Sequence, residues 1–398
     1  MKMIQEAYIV AATRSPIGKA PKGSLRFKRP DDLLAETLKN CLAQAPNLDP
    51  KAIEDMIVGC AIPEGPQGLN VARMSLLLAG MPNTVGGITV NRFCASGLSA
   101  IAMAADRIRV GEADVMIAAG VESMSMVPMM GGTPSLSPEI FSRDENLGIA
   151  YGMGLTAEKV AQQWKISREA QDAFSLASHQ KAIAAQKAGE FQQEISQVSY
   201  EKRQINQATG QVDIQTAYLS ADEGPRLDAS IEGLAKLKPV FANKGSVTAG
   251  NSSQMSDGCG ALILASEKAI KTFGLTPLAK FVSFAVRGVP PEIMGIGPKE
   301  AIPVALQYAG LKQDDIDWFE LNEAFAAQSL AVIQDLNLNP DKVNPLGGAI
   351  ALGHPLGATG AIRSATVVHA LHRRQLKYGM VTMCVGTGMG AAGIFERV

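Results

Sequence analysis

Little in this chain could build a disulfide framework or hold a metal. Its 398 residues include five cysteines and four histidines. Cys41, Cys60, Cys94, Cys259 and Cys384 are odd in number, widely spaced, and form no CxxC pair with histidines nearby. Such usage argues against stapling and against zinc, and fits a reducing compartment. No metal is expected. Charge of one sign is equally scarce: 37 basic residues against 38 acidic ones leave a net charge of −1. No global field would recruit nucleic acid or an anionic membrane, so neither partner is expected. No apolar run approaches the roughly 20 residues of a membrane span. The opening MKMIQEAYIVAATRSP lacks the ordered regions of a signal peptide, and the closing FERV is no peroxisomal address. A cytoplasmic protein is expected. The basic run LRFKRP (Leu25–Pro30) reads as a solvated loop that could steer an anion locally.

What is present is a repeat. Leu48 and Leu311 open the similar stretches LDPKAIEDMIVG and LKQDDIDWFELN, 263 residues apart. CASGLSAIAMAADRI and GATGAIRSATVVHAL align at the same offset, with Gly97 on Gly360. A short apolar strand follows each, DVMIAAG (Asp114–Gly120) and GMVTMCVG (Gly379–Gly386). The same ordered elements at one interval indicate a duplicated α/β unit. Each half alternates strands with helices, which predicts a mostly parallel or mixed sheet covered by helices. YIVAA (Tyr8–Ala12) reads as an opening strand. SGLSAIAMAADRIRVG and TGAIRSATVVHALHRR are apolar almost all round, as helices buried between layers are.

Between Glu122 and Lys244 the texture changes. SMSMVPMMGGTPSLSP is rich in Met, Pro, Gly and Ser. Ser167–Phe191 then reads as a polar amphipathic helix, with Ser167 as N-cap. The second half has no counterpart, so this is an inserted loop domain of the kind that carries specificity.

Five motifs can carry chemistry. NRFCASGLSA puts Cys94 just before a helix, where backbone N–H dipoles favour a thiolate; a buried structural cysteine is the alternative. GHPLGATGA surrounds His354, a residue able to move a proton near neutral pH, with small residues that admit close approach. MVTMCVGTGMGAAGIFERV places Cys384 at a strand end before a glycine-rich turn. That turn opens no helix, so it is no dinucleotide loop; Gly386 and its neighbours could instead turn N–H groups toward a reacting carbonyl. ELNEAFAAQ supplies Asn322 and Glu323 at a strand-to-helix junction, where an asparagine either caps or catalyses. His369 and His372 read as a solvated helix end, and His179 as a residue of the insertion helix.

NRFCASGL, GNSSQMSDG, ELNEAFAAQ, GGAIALGHPLGATG and CVGTGMGAAGIFE resemble the signatures of the thiolase family, in that family's order and across essentially the whole chain. The resemblance implies an α/β fold of two βαβαβαββ halves in a five-layered αβαβα core, with a loop domain inserted in the first half. Residues 1–121 and 245–273 would form the N-terminal half, 122–244 the inserted domain and 274–398 the C-terminal half. The implied reaction is thiolysis of a 3-ketoacyl-CoA through an acyl-cysteine. Cys94 would attack, His354 would take its proton and Cys384 would protonate the departing enolate. The N–H groups of Cys94 and Gly386 would hold one oxyanion; His354 and an Asn322-bound water would hold the other. Arg226 would meet the nucleotide end of CoA and Ser253 its pantetheine arm. CoA enters as co-substrate, and no permanently bound cofactor is implied.

One departure from the biosynthetic branch is informative. Gly152 stands where that branch has histidine, and NSSQ (Asn251–Gln254) where it reads NASG, which resembles degradative members. An acetoacetyl-CoA thiolase or a decarboxylating condensing enzyme of the same fold is the alternative, and the latter lacks a second cysteine acid. A non-enzymatic acyl-CoA-binding relative is a third. The family also implies a homodimer or homotetramer, with a β-oxidation enzyme as a possible partner.

Overall fold

The strands of this protein separate two faces by simple alternation. In Val115–Ser123, Met116 and Ala118 join one buried cluster while Val115, Ile117, Ala119 and Val121 join another. A strand buried on both faces must lie between two helical layers. The computed structural model describes residues 4–132, 134–207 and 209–398. The first half runs β1 (Tyr8–Arg14), β2 (Gly18–Lys19), α1 (Pro30–Ala43), β3 (Asp55–Gly59), α2 (Val71–Leu78), β4 (Ile88–Val90), α3 (Ser96–Arg109) and β5 (Val115–Ser123). There follow α4 (Met153–Gln163), α5 (Arg168–Lys187), β6 (Val198–Ile205), β7 (Val212–Leu219), α6 (Ile231–Ala235), β8 (Ser256–Ala265) and α7 (Glu267–Phe273). The second half comprises β9 (Ala279–Gly288), α8 (Gly297–Ala309), β10 (Trp318–Leu321), α9 (Ala326–Leu336), α10 (Ala349–Leu352), α11 (Thr359–Arg373), β11 (Tyr378–Val385) and β12 (Met389–Arg397).

The strands order as β10-β11-β12-β9-β1-β8-β5-β3-β4, with β2 on β8. Pairing is mixed: β3 runs parallel to β4 and β5, and β10 parallel to β11, while β5, β8 and β1, and β11, β12 and β9, pair antiparallel. The duplication is structural. β3 and β10, α3 and α11, and β5 and β11 each begin 263 residues apart. An isolated parallel bridge from Phe319 to Val343 stands where β4 stands in the first half.

Helices α3 and α11 form the middle of five layers, each packed on strands of both halves and on the other. α1 and α2 cover the outer face of the first half, and α8 and α9 that of the second. Glycine lets the central pair meet backbone to backbone. A Cβ at Gly360 would lie 2.2 Å from the Leu98 nitrogen, and one at Gly97 would lie 2.7 Å from the Ala361 nitrogen. The helix starts, and the loops before them, are therefore held together.

The segment between β5 and β8 is tied down by charge. Arg14, 1% exposed on β1, grips Asp222 through two bonds of 2.8 and 2.9 Å and Glu194 through one of 2.8 Å. As expected, Ser167 caps α5, accepting from the Ala170 N–H. Among the described residues no helix is long and apolar enough to cross a membrane.

Replacing Gly360 by Ala forces the central helices apart. The expected loss is about 1–3 kcal/mol of stability, read as a lower urea midpoint. Gly152→Ala is the control, since nothing lies within 4 Å of a Cβ there. Equal midpoints for the two variants would contradict the packing argument.

Candidate active site

The strand ends and the starts of the central helices meet at one edge of the layers. Cys94 lies in a 3-10 turn (Phe93–Ala95) leading into α3, and is 7% exposed. Phe93 before it sits at φ +43°, a left-handed conformation that a bulky residue adopts only under tertiary constraint. Ser96 helps supply that constraint: its Oγ accepts from the Arg92 N–H and donates to the Phe93 carbonyl.

His354 comes from the other half, in the loop between α10 and α11, and is 4% exposed. Its Nε2 lies 3.2 Å from Cys94 Sγ and its Nδ1 lies 2.6 Å from Thr359 Oγ1. Asn322, one residue beyond β10, brings Nδ2 to 3.4 Å from the same Nε2. An amide NH2 only donates, so Nε2 carries the lone pair and Nδ1–H donates to Thr359. In that tautomer the thiol donates to the imidazole. Burial, with the Arg363 charge, pushes the imidazole down to about 3. Burial also pushes the Cys94 thiol up to about 12; the N–H groups of Cys94 and Gly386 oppose this, and the Glu122 charge adds to it. The helix start therefore does not yield the standing thiolate expected from its dipole. Desolvation outweighs the dipole, and the resting pair is a neutral thiol on a neutral imidazole.

Cys384 lies at the end of β11, fully buried among Phe325, Met294, Ala157, Val247 and Met153. Burial first, then the Cys94 sulfur beside it, raises its thiol well above the usual range. Both sulfurs are thus thiols at neutral pH, one against a base and one in an apolar wall. Gly386 follows on the next turn, facing Phe93 and Met153. Asn322 does not cap α9, whose N-cap is Phe325. Its Oδ1 is buried with no partner among the described residues, so it can accept from a water or hydroxyl entering the site.

The remaining expected residues lie to one side. Arg226 is exposed at the rim of a cavity of about 380 Å³ lined also by His179, Ser252, Gln254 and Ile350. Ser253 is half-buried with its N–H on the Ala324 carbonyl, while its neighbours Ser252 and Gln254 face that cavity. Gln254 joins cavity and site: its side-chain amide donates to the carbonyls of Ile350 and Ala351, and its backbone carbonyl accepts the His354 backbone N–H.

His179 lies on the insertion helix as expected, while the readings of His369 and His372 need correction. His179 is buried, accepts the Arg226 N–H on Nδ1 at 3.2 Å, and is held down to about 4 by burial and by Arg226 and Lys19. His369 and His372 are not a solvated end: half-buried, they bond the carbonyls of Ala12 and Leu278. Sequence reasoning also missed Thr359 and Glu122. The signal available for Glu122 was a lone carboxylate closing a wholly apolar strand.

The sequence matches the family description "Thiolase, N-terminal domain" over residues 7–268 and "Thiolase, C-terminal domain" over residues 275–397. It is 50% identical to the 3-ketoacyl-CoA thiolase of Bacillus subtilis, across 99% of this chain and 100% of that one. It is 47% identical to the peroxisomal 3-ketoacyl-CoA thiolase A of Rattus norvegicus, across 98% of this chain and 88% of that one. Among solved structures, the Bacillus anthracis acetyl-CoA acetyltransferase superposes with TM-score 0.89 at 38% identity and full coverage of both chains. Human mitochondrial 3-ketoacyl-CoA thiolase superposes with TM-score 0.89 at 37% identity and 99% coverage of each. With both halves matched in sequence and the five layers matched in space, the chain belongs to the thiolase family.

Proposed function

We propose that this chain cleaves 3-ketoacyl-CoA with CoA, giving acetyl-CoA and an acyl-CoA shortened by two carbons. The observation that carries the reading is the 3.2 Å contact between Cys94 Sγ and His354 Nε2, with a second thiol, Cys384, beside the first. Cys94 attacks the 3-keto carbon while its proton passes to Nε2, so charge separates only as the new C–S bond forms. The alkoxide accepts from the N–H groups of Cys94 and Gly386, already aimed at the sulfur. On collapse the C2–C3 bond breaks, leaving acyl-Cys94 and the enolate of acetyl-CoA. Cys384 gives its proton to C2, while the enolate oxygen rests on the His354 N–H and a water held by Asn322. His354 then returns its proton to the Cys384 thiolate, becomes neutral again, and deprotonates CoA for attack on the acyl thioester.

CoA is read as co-substrate, its polyanionic end at Arg226 and its arm along the strip that contains Ser253. Residues 122–244 are assigned to substrate capture, and the flanking segments to the two catalytic halves. The degradative direction is favoured by the names of the relatives and by Gly152 and NSSQ (Asn251–Gln254), which resemble degradative members. A cytoplasmic location and a homodimer or homotetramer complete the reading, and one exposed face suits association. β4 is an edge strand, and Met74, Leu77, Leu78 and Ile88 beside it are exposed apolar residues that a second copy would cover.

Cys94→Ser is expected to lower thiolysis at least ~10³-fold, since a hydroxyl is a far weaker nucleophile. Cys384→Ala is expected to lower C–C cleavage ~10²–10⁴-fold while sparing acyl exchange between CoA thioesters; His354→Ala slows both half-reactions. Equal loss of exchange and cleavage in Cys384→Ala would remove its assignment as the acid.

pH dependence follows from the imidazole. A base held at about 3 stays neutral through the ordinary titration range of histidine, so kcat should be flat from pH 7 down to about 5.5. A fall in kcat centred near pH 6.5 and absent from the enzyme's stability profile would contradict it. Arg226→Ala is expected to raise KM for CoA about tenfold with kcat unchanged; an unchanged KM would detach Arg226 from CoA.

A further inference from the structure

The pseudo-symmetry of the two halves exposes a contact that the reaction scheme does not use. At the 263-residue offset, Gly357 in the loop before α11 occupies the place of Cys94 in the loop before α3. Each loop rests on the end of a strand from the opposite half. Gly386, just past β11, turns its N–H toward Cys94. Glu122, at the end of β5, accepts the N–H of Gly357 at 2.9 Å. The first contact belongs to the oxyanion site. The second is made by a carboxylate that is 1% exposed.

That carboxylate is fully engaged, and its partners lead to both members of the catalytic pair. Oε2 accepts from Gly357, three residues past His354, and from the Ala61 N–H at 2.7 Å. Oε1 accepts from the Ile62 N–H, from the Gln67 amide and, at 3.9 Å, from the Cys60 thiol. The Ala61 carbonyl in turn accepts from Asn91 Nδ2 at 2.9 Å, and Asn91 Oδ1 accepts the Phe93 N–H at 2.8 Å. The chain of bonds ends on the residue held at φ +43° immediately before Cys94.

We infer that Glu122 is a positioning residue of the thiolase reaction, clamping the loop of His354 in one half to the loop of Cys94 in the other. It touches neither substrate nor reacting atoms; it sets the distance between base and nucleophile. Its negative charge has a second consequence: behind burial, the main cause, it adds to the upward push on the Cys94 thiol. The other titratable groups facing that sulfur are His354, from the loop before α11, and Cys384, from β11. The inference rests on the reading of Cys94 and His354 as the reacting pair.

The test is Glu122→Gln in the full-length enzyme. Glutamine keeps the shape but has one acceptor oxygen, so it must turn an NH2 toward at least two of the five donors. Turnover is expected to slow by between about tenfold and about a hundredfold with KM within about threefold, as misplacement of a reacting pair produces. Alkylation of Cys94 by iodoacetamide, which needs no turnover, should shift to lower pH because the neighbouring anion is gone. Wild-type turnover and an unshifted alkylation profile in the folded variant would overturn the inference. Should Glu122→Gln fail to fold, Asn91→Ala cuts the same path at an exposed side chain. It is expected to slow turnover about tenfold with an unchanged melting temperature, and a wild-type rate there would overturn the inference equally. Where both fold, their effects should be less than additive. An inactive wild-type enzyme would count instead against the thiolysis reading, since the alkylation measurement stands without it.

Discussion

Everything in this structure turns on one hydrogen bond, the 3.2 Å contact from the Cys94 thiol to the lone pair of His354 Nε2. It spans 260 residues of sequence and joins two halves of a duplicated chain. Its chemistry depends on where it lies. In water a cysteine beside a histidine could share its proton; here burial pushes the thiol up and the imidazole down, so the proton stays on sulfur. The nucleophile is consequently unreactive until a carbonyl carbon accepts its electrons. The same dry surroundings strengthen the N–H groups that receive the resulting oxyanion, because their dipoles are fixed and no solvent competes.

Such a bond requires two loops from different halves to arrive at one place, and the central layer supplies that constraint. α3 and α11 touch at Gly97 and Gly360, so their starts cannot drift apart. The loop before each helix carries one half of the pair. β5 and β11 deliver Glu122 and Cys384 from equivalent strand ends, and β10 delivers Asn322. Duplication thus does more than double the core. Divergence of the two copies lets one supply a nucleophile and the other a base and an acid, over the same backbone geometry.

Much of the architecture was readable from residue order. The offset of 263 predicted β3 with β10, α3 with α11 and β5 with β11, and each pair begins at that interval. The small, all-round apolar helices were correctly placed between layers because no other location buries every face. The mixed character of the sheet was expected, and its continuous strand path was not, since nothing local signals the pairing of Tyr8 and Ile9 with Lys280 and Ala279. Errors concentrated in charged and titratable side chains. His369 and His372, beside two arginines, read as solvated, yet Ala12 within β1 and Leu278 just before β9 supply carbonyl partners from far along the chain. His179 was placed on its helix, but its bond to the Arg226 N–H was not legible, because Arg226 lies 47 residues further on. For Cys94 the helix dipole, a local quantity, and burial, a global one, stood as alternatives in the sequence; the structure has both, and burial is the larger. Glu122 read only as the first residue of the insertion, because its five donors come from distant segments around Cys60–Ile62, Gln67 and Gly357.

The neutral state of the pair is the claim on which the proposed mechanism depends, and it is directly observable. Nitrogen NMR of histidine-labelled enzyme at pH 7, with His354 assigned by comparison with its alanine variant, reports the protonation of each ring nitrogen. The predicted spectrum has a proton on Nδ1 and a bare, hydrogen-bonded Nε2. An imidazolium signature that disappears when Cys94 is replaced by alanine would mean a standing thiolate–imidazolium pair and would contradict the account.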